Sequence, residues 1–301
     1  MRKLILITGS SGFVGKNLFT FLHEHANEVV GISLRDRRDI PEIDNNASAL
    51  IHLAGKAHDT ANSFDDQEYY NVNKNLTIEL FNKYLLSEIK DFIYFSSVKA
   101  AADSVVGKLG ENVVCNPLTP YGKSKLQAEQ YLLQQQLPKG KRLFIIRPCM
   151  IHGPGNKGNL NLLYNLVKKR IPWPLASFEN KRSFLSIDNL NYIINSILEN
   201  PNIKSGIYNL ADDDPISTND LIKLISMVNG IKARLLSISP SLITLIAKVG
   251  DMLDLPLNSE MLKKLTENYI VDNSKIKFAL NIKKMPVSSR DGLIQTFKSF
   301  S

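Results

Sequence analysis

Short apolar segments alternate with helical patterns along the first half of the chain. Short, uninterrupted apolar runs are typical of parallel strands that helices cover on both faces. Strands that alternate with helices connect through right-handed crossovers and form an open sheet. The predicted strands are residues 4–7, 29–32, 49–53, 92–95 and 143–146, and the predicted helices include 15–25, 70–86 and 124–136. The sequence therefore predicts an α/β fold with a doubly wound parallel sheet.

A glycine-rich turn, Thr8-Gly9-Ser10-Ser11-Gly12-Phe13-Val14-Gly15, joins the first predicted strand to the first helix. Such a turn lets the backbone approach a pyrophosphate, and the helix N-terminus attracts its negative charge. The spacing Gly-x-x-Gly-x-x-Gly differs from the commoner Gly-x-Gly-x-x-Gly, and a purely structural turn is the alternative. Its place between strand and helix predicts a Rossmann-like dinucleotide site formed by Gly9, Ser11, Gly12, Phe13, Val14 and Gly15.

Composition excludes several classes of protein. Hydrophobic residues make up 44% of the 301 residues, as in an ordinary globular protein. Cys115 and Cys149 are the only cysteines, too few for a disulfide framework or a four-cysteine zinc site, and we expect no metal. The chain has 37 Lys and Arg against 29 Asp and Glu, a formal charge of +8 that favours anionic ligands such as phosphates. No basic stripe interleaved with aromatic residues is evident, so we expect no nucleic-acid partner.

We expect a cytoplasmic protein. Residues 1–8 run directly into a strand and leave no room for a signal peptide. The most apolar later stretch, residues 235–255, is interrupted by charges and glycine, which is unlike a membrane span. It is interpreted as a helix that packs on the protein, and no membrane partner is expected.

Three segments carry a resemblance to a known family. They resemble segments of the extended short-chain dehydrogenases/reductases, also called the NAD-dependent epimerase/dehydratase family. The three segments are the opening Thr-Gly-x-x-Gly-Phe-x-Gly, His52-Leu53-Ala54-Gly55 and Asn71-Val72-Asn73. The resemblance implies that Leu53, Ala54, Gly55, Asn71 and Pro148 line an NAD(P) site. A solvated amide on the helix surface is the alternative for Asn71.

The end of the second predicted strand bears on the choice of cofactor. An acidic residue there normally accepts hydrogen bonds from the adenosine ribose, but this chain has Ser33, followed by Arg35, Arg37 and Arg38. Guanidinium groups beside a serine can hold a 2′-phosphate, whereas a carboxylate would repel it. NADP(H) is therefore slightly favoured, while Asp36 keeps NAD(H) open.

Tyr121 and Lys125 lie one helical turn apart, just after Pro120. An adjacent ammonium stabilises a phenolate, so we expect Lys125 to lower the pKa of Tyr121 and make it a useful acid or base. Ser97 follows a predicted strand and matches the family's catalytic serine, and its hydroxyl can both donate and accept a hydrogen bond. The resemblance implies that Tyr121 and Lys125 also contact the cofactor and that Ser97 contacts substrate.

Val98 departs from one branch of the family. At this place the sequences of nucleotide-sugar dehydratases in the family resemble Ser-Thr-Asp-Glu or Ser-Thr-Asp-Lys, because loss of water requires an acid and a base beside the tyrosine. Valine can be neither, and Lys99 alone does not restore the pair. Dehydration is therefore disfavoured.

The second half of the chain is predicted to hold substrate. We expect residues 1–147 to form the cofactor-binding domain, to which some later segments return, and residues 148–301 to form a smaller α/β lobe that binds a nucleotide-sugar. The resemblance implies that the substrate contacts Lys99, Asn159 and Leu160 and that Arg182 clamps its diphosphate. His152 is interpreted as a packed histidine or a polar contact, and Asp188 and Asn189 as helix caps.

Three segments resemble the branch of UDP-N-acetylquinovosamine-type 4-ketoreductases: residues 96–100, 153–160 and 182–190. The favoured function is reduction of a UDP-linked 4-keto-6-deoxy-N-acetylhexosamine for surface-polysaccharide synthesis. A UDP-hexose 4-epimerase with tightly bound NAD is the alternative, and a non-catalytic nucleotide-binding protein is a second. The resemblance also implies a homodimer.

Overall fold

The computed structural model describes residues 2–34, 42–56, 66–253 and 258–300. Its strands are β1 (Leu4–Thr8), β2 (Glu28–Ile32), β3 (Ala49–His52), β4 (Asp91–Phe95), β5 (Lys108–Leu109), β6 (Arg142–Pro148), β7 (Met150–His152), β8 (Phe184–Ser186), β9 (Gly206–Leu210) and β10 (Ile270–Val271). Its α-helices are α1 (Phe13–Glu24), α2 (Asp66–Tyr69), α3 (Leu76–Leu86), α4 (Pro120–Gln134), α5 (Asn159–Lys168), α6 (Ile187–Glu199), α7 (Thr218–Val228), α8 (Pro240–Leu253), α9 (Ser259–Thr266), α10 (Ser274–Leu280) and α11 (Ser289–Lys298). A π-helical segment, Tyr70–Asn75, joins α2 to α3, and a 3₁₀ turn, Val98–Ala100, follows β4.

Six parallel strands form the central sheet in the order β2-β1-β3-β4-β6-β9. The predicted doubly wound sheet is therefore confirmed. Its sixth strand, β9, comes from the second half of the chain and pairs with β6. Two small sheets, β5 with β10 and β7 with β8, lie outside it.

Helices cover both faces of the sheet, which is why its strands are apolar throughout. On one face, Leu18 and Leu22 of α1 and Ile194 of α6 share a core with Ile5 and Ile7 of β1. On the other face, α3 and α4 pack against β3, β4 and β6 through residues such as Phe81, Ala128 and Phe92.

A second core lies between α5, α7, α8, α9 and α11 in the C-terminal half. Its members include Leu160, Trp173, Ile225, Ile243 and Phe297, all of which are buried.

The strand order reverses beside β1, since β2 lies on one side of it and β3 on the other. In open α/β sheets, ligands bind at the carboxyl ends of the strands where the order reverses. The turns that follow β1 and β3 are therefore the expected place for a cofactor.

Candidate active site

The turn after β1 folds tightly on its own glycines. Gly9 has φ +70°, and a Cβ added there would lie 2.7 Å from the Ala54 amide nitrogen. A Cβ on Gly15 would lie 2.2 Å from the Gly9 carbonyl oxygen, so a side chain cannot be accommodated at either position without a shift of the backbone. These two glycines hold the N-terminus of α1 close to the ends of β1 and β3.

Gly12 is the N-cap residue of α1, and the amide of Gly12 donates to the Gly9 carbonyl at 3.1 Å. As glycine, Gly12 places no side chain over the first amides of the helix. Ser11 and Gly12 are exposed, whereas Phe13 and Val14 pack on the core. This bare helix N-terminus fits the pyrophosphate of a dinucleotide.

The segment after β3 completes this surface. The amide of Leu53 donates to the Thr8 carbonyl and the amide of Ala54 to Thr8 Oγ1, each at 3.2 Å. A Cβ on Gly55 would lie 3.0 Å from Lys125 Nζ, so the glycine leaves room for the ammonium. Pro148 is the buried last residue of β6 and lies at the same edge of the sheet.

The residues that would distinguish NADP from NAD are only partly described. Ser33 is exposed and directly follows β2. Arg35, Asp36, Arg37 and Arg38 lie outside the described residues, so the preference for NADP(H) stays a prediction.

Asn73, which sequence reasoning passed over, is the asparagine that the structure places next to the predicted site residues. It is fully buried, its Oδ1 accepts from the Lys56 amide at 2.8 Å, and its Nδ2 donates to Ser124 Oγ at 3.1 Å. Asn71 is exposed, and its Oδ1 accepts from Gln67 and Asn75. Asn73 thus ties the loop after β3 to α4, while the role of Asn71 in binding cofactor stays a prediction.

Ser97 and Tyr121 meet at the carboxyl end of β4. Ser97 caps the 3₁₀ turn, where its Oγ accepts from the Lys99 amide at 3.2 Å, and its hydroxyl lies near enough to the Tyr121 phenol to lower the pKa of that phenol. Tyr121 belongs to the first turn of α4, whose start is fixed by the Thr119 N-cap and Pro120.

Burial raises the pKa of Tyr121 above its ordinary value of 10.0, although the nearby Ser97 hydroxyl opposes this effect. The effect predicted for Lys125 is not among the causes of this shift, so it stays a prediction. The ammonium of Lys125 is instead directed at the main chain, since its Nζ donates to the Phe95 carbonyl at 2.8 Å. The half-buried phenol of Tyr121 is protonated at neutral pH, which is the form that can donate a proton.

Lys125 is itself buried, with 4% of its surface exposed. Burial lowers its pKa to about 8, and the carboxylate of Glu129 opposes this shift. Its Nζ also lies 4.9 Å from the centre of the Tyr94 ring. The side chain is thus fixed among a carbonyl, an aromatic ring and a carboxylate.

A buried ion pair lies beneath these residues. Glu129, one turn beyond Lys125 on α4, accepts from Arg147 Nε at 2.9 Å, and both side chains are 1% exposed. Ser96 Oγ donates to the same carboxylate, and Arg147 Nη2 donates to Cys115 Sγ. The sequence does contain a signal for this pair, because Glu129 repeats the four-residue spacing of Tyr121 and Lys125 along one helix face.

Lys99 and Arg182, both predicted to bind substrate, belong to one charged cluster. The Lys99 ammonium donates to the Asp103 carbonyl at 2.8 Å and lies 4.3 Å from the centre of the Tyr269 ring. Arg182 donates to the Lys264 carbonyl at 2.9 Å and lies 3.8 Å from Glu267. Burial lowers the pKa of Lys99, and the positive charge of Arg182 adds to this effect.

Two other predicted contacts lie at the start of α5. Asn159 is exposed in the first turn of the helix, where a ligand can reach it. Leu160 is 4% exposed, and its side chain packs in the C-terminal core. The helix turns this side chain inward, and the predicted contact of Leu160 with substrate stays a prediction.

His152 is a packed histidine. It is fully buried, its Nδ1 is 2.8 Å from Thr296 Oγ1, and its Nε2 is 3.5 Å from Asp212 Oδ2. The predicted caps of the next helix are wrong, because Ser186 is the N-cap of α6. Asn189 is buried instead, and its Nδ2 donates to Asp212 Oδ1 at 2.7 Å.

Comparison with known proteins agrees with this geometry. Residues 5–211 match the NAD dependent epimerase/dehydratase family, which spans more than half of the chain. The chain belongs to this family. The matched segment contains the turn after β1, Ser97, Tyr121 and Lys125.

Relatives within the family include both epimerases and reductases. The chain is 29% identical to a UDP-glucose 4-epimerase of Vibrio cholerae, over 100% of this chain and 96% of the relative. Among solved structures, a UDP-glucuronic acid 4-epimerase of Bacillus cereus in complex with NAD has a TM-score of 0.73 at 20% identity, covering 99% of this chain and 98% of the other. RMD of Pseudomonas aeruginosa, complexed with NADPH, has a TM-score of 0.73 at 19% identity, with 99% of each chain covered. These two likenesses show the shared fold.

Proposed function

We propose that this chain reduces the C4 ketone of a hexose carried on a nucleoside diphosphate, with a UDP-linked 4-keto-6-deoxy-N-acetylhexosamine as the substrate and NADPH as the favoured cofactor. The observation that carries the proposal is the proximity of Ser97, at the carboxyl end of β4, to the Tyr121 phenol, with Lys125 one turn along α4. A phenol, a hydroxyl and a fixed ammonium in this place are suited to proton transfer at a carbonyl oxygen.

A bound nicotinamide supplies the hydride that goes to C4. Tyr121 donates its phenolic proton to the C4 oxygen, which becomes the hydroxyl of the product. Ser97 donates a hydrogen bond to the same oxygen and holds it in line with the phenol. The Lys125 ammonium stabilises the phenolate that remains until a proton from solvent restores Tyr121.

Reduction requires the protonated phenol at the start, and this is the form of a phenol at neutral pH. Dehydration is disfavoured by Val98, which is 4% exposed and part of the core behind the 3₁₀ turn. A valine in that place supplies neither the acid nor the base that loss of water needs.

We assign the diphosphate of the substrate to the cluster of Lys99 and Arg182, with Asn159 at the start of α5 as a further contact. Permanent positive charge on a guanidinium suits a diphosphate. In this proposal residues 1–147, with β9, bind the cofactor and the rest of the chain binds the nucleotide-sugar. The product class is a precursor of surface polysaccharides.

A second candidate is a UDP-hexose 4-epimerase. The observation that favours it is the similarity to the Vibrio cholerae UDP-glucose 4-epimerase along the whole chain. An epimerase would keep NAD bound and return the hydride to the other face of C4, so no net oxidation of added cofactor would occur.

The test begins with purified protein, from which any bound nucleotide is released with acid and identified. NADPH and NADH oxidation is then followed with UDP-4-keto-6-deoxy-N-acetylhexosamine. We expect NADPH to be consumed in equal amount to the substrate and no NAD to be retained. Retained NAD with interconversion of UDP-hexoses and no net oxidation would instead establish the epimerase.

Tyr121→Phe tests the mechanism separately from the substrate. Loss of the phenol is expected to lower kcat by about 10²- to 10⁴-fold. Tyr131→Phe removes a phenol from the same helix that bonds only Asn82 among the described contacts, and it is expected to keep wild-type turnover. Equal activity of the two variants would refute the role of Tyr121, and nucleotide binding without any turnover would indicate a non-catalytic protein.

A further inference from the structure

Helix α8 packs on the protein through one narrow face. Ile243, Ala247 and Gly250 are buried against the C-terminal core. The helix thus packs on the protein as the sequence predicts, but the rest of its surface is largely apolar and exposed. The exposed fractions are 50% for Leu242, 59% for Leu245, 44% for Ile246, 43% for Val249, 84% for Met252 and 64% for Leu253. We call these six side chains the α8 apolar face.

The positions in this face recur at three- and four-residue steps, so they form a continuous stripe along the helix. Proteins that act alone in water seldom expose a contiguous apolar patch of this kind, and such patches mark interaction sites. Among the helices that the structure describes, none is long and apolar enough to cross a membrane. The face is therefore suited to a surface contact along the helix axis.

Basic residues lie in α8 and before it, whereas its last turn contains the exposed Asp251. Segments 159–178 and 229–250 contain no Asp or Glu. They do contain basic residues, which are all exposed and which we call the basic rim: Lys168, Lys169, Arg170, Lys232, Arg234 and Lys248.

The two segments of the basic rim are adjacent in the fold. Arg234 Nη1 donates to the Arg170 carbonyl at 3.2 Å, and the Trp173 amide donates to the Arg234 carbonyl at 2.8 Å. Leu236, which is 47% exposed, and Ile171, which is 49% exposed, add apolar surface between these cations and α8.

Charge decides which partner fits this surface. A symmetric contact between two copies would bring each patch against itself, so basic rims would approach each other and repel. An anionic lipid surface attracts the same rim, while the apolar side chains enter the region between headgroups and acyl chains. A helix with an apolar face and flanking Lys and Arg residues has the composition of one that lies in a membrane interface.

We infer that the α8 apolar face and the basic rim dock this enzyme on an anionic lipid membrane, with α8 lying in the plane of the interface. This role is separate from the proposed reduction, because none of the docking residues belongs to the site formed by Ser97, Tyr121 and Lys125. The docked protein is held peripherally, so salt weakens the contact by screening the basic rim.

Co-sedimentation of the full chain with vesicles tests the inference. One set of vesicles contains phosphatidylcholine and phosphatidylglycerol, and the other contains phosphatidylcholine alone. We expect binding to the anionic vesicles, much weaker binding to the neutral ones, and release by added salt. Leu245→Glu with Val249→Glu is expected to weaken binding to anionic vesicles by about tenfold or more, because the carboxylates are repelled and the apolar area is lost.

Leu86→Glu is the matched control, since Leu86 is 89% exposed at the end of α3, outside the proposed surface. It is expected to bind vesicles like the wild type. A second variant, Lys168→Glu with Lys232→Glu, leaves the apolar face intact and is expected to weaken binding to anionic vesicles alone.

Three results would overturn the inference. They are no binding to anionic vesicles, an equal loss in Leu86→Glu, or a concentration-dependent dimer in light scattering that the α8 double variant abolishes without any effect of lipid. Turnover of a water-soluble nucleotide-sugar is expected to be unchanged in the α8 double variant, so failure of the proposed reduction and failure of membrane docking are distinguished.

Discussion

Glu129 and Arg147 form a fully buried ion pair that joins α4 to β6 under the candidate active site. The pair fixes α4 relative to the sheet, and α4 carries both Tyr121 and Lys125. The position of the helix that carries these two candidate residues thus depends on an ion pair buried beneath them.

Glu129→Gln is expected to destabilise the protein by about 3–5 kcal/mol, because the Arg147 charge would stay buried without its partner. Urea unfolding measures this change. Glu79→Gln, at an exposed position of α3, is the control and is expected to change stability by less than about 0.5 kcal/mol. Similar stability of the two variants would show that water or another group compensates Arg147.

Gly15→Ala is expected to destabilise the protein by about 3 kcal/mol or more, because its Cβ would lie 2.2 Å from the Gly9 carbonyl oxygen. Gly110→Ala is the matched change, since a Cβ there meets no heavy atom within 4 Å among the described residues. Thermal or urea unfolding of both variants measures the difference in stability. A tolerated alanine at position 15 would mean that the turn is looser than the structure indicates.

Lys125→Met is expected to be more stable than the wild type at pH 7. The folded pKa of Lys125 is about 8 against an ordinary 10.5, so its buried charge costs stability below pH 8. The difference is about 3 kcal/mol at pH 7 and disappears as pH rises from 8 to 10.5, since the folded lysine then loses its proton before the unfolded one.

Urea unfolding at several pH values measures this difference, with exposed Lys123→Met on the same helix as the control. A constant difference between Lys125→Met and the wild type across this pH range would contradict the lowered pKa.

His52 is expected to contribute to acid unfolding. It is fully buried between Thr8 and Thr77, and burial lowers its pKa to about 3, with the Lys125 charge adding to the shift. The folded state therefore resists protonation, so stability is lost as pH falls from 6.5 toward 3. Between pH 6.5 and 4.5 this loss is about 2 kcal/mol.

His52→Asn is expected to lose correspondingly less stability over that interval, as followed by urea unfolding. His23→Asn, at an exposed position of α1, should keep the pH dependence of the wild type. If both variants follow the wild-type curve, His52 is not the group that resists protonation.

The sheet and the three candidate catalytic residues, Ser97, Tyr121 and Lys125, could be predicted because their signals are local. Alternating apolar runs give the strands, a glycine turn gives the strand-to-helix junction, and the four-residue spacing places Tyr121 and Lys125 on one face. Ser97 follows from its place directly after a strand. Each of these signals depends only on residues that are close together in the chain, so it can be seen in the sequence.

Features that depend on distant contacts or irregular backbone could not be predicted. The π-helical segment Tyr70–Asn75 winds more residues per turn than an α-helix, so simple helical spacing does not reveal that Asn73 rather than Asn71 turns inward. The raised pKa of Tyr121 depends on its burial among elements that are distant in the chain. The exposure of the apolar side chains of α8 likewise depends on how the rest of the fold packs around this helix, which the apolar sequence of the helix does not reveal.

Strand β9 has a consequence for how the protein is made. Because β9 pairs with β6 across more than fifty intervening residues, the edge of the sheet at β6 stays open on the ribosome until residue 210 has been synthesised. A nascent chain that stops earlier exposes the backbone groups of a long apolar strand, which is a template for aggregation. The N-terminal half therefore cannot complete its sheet before the following part of the chain has been synthesised.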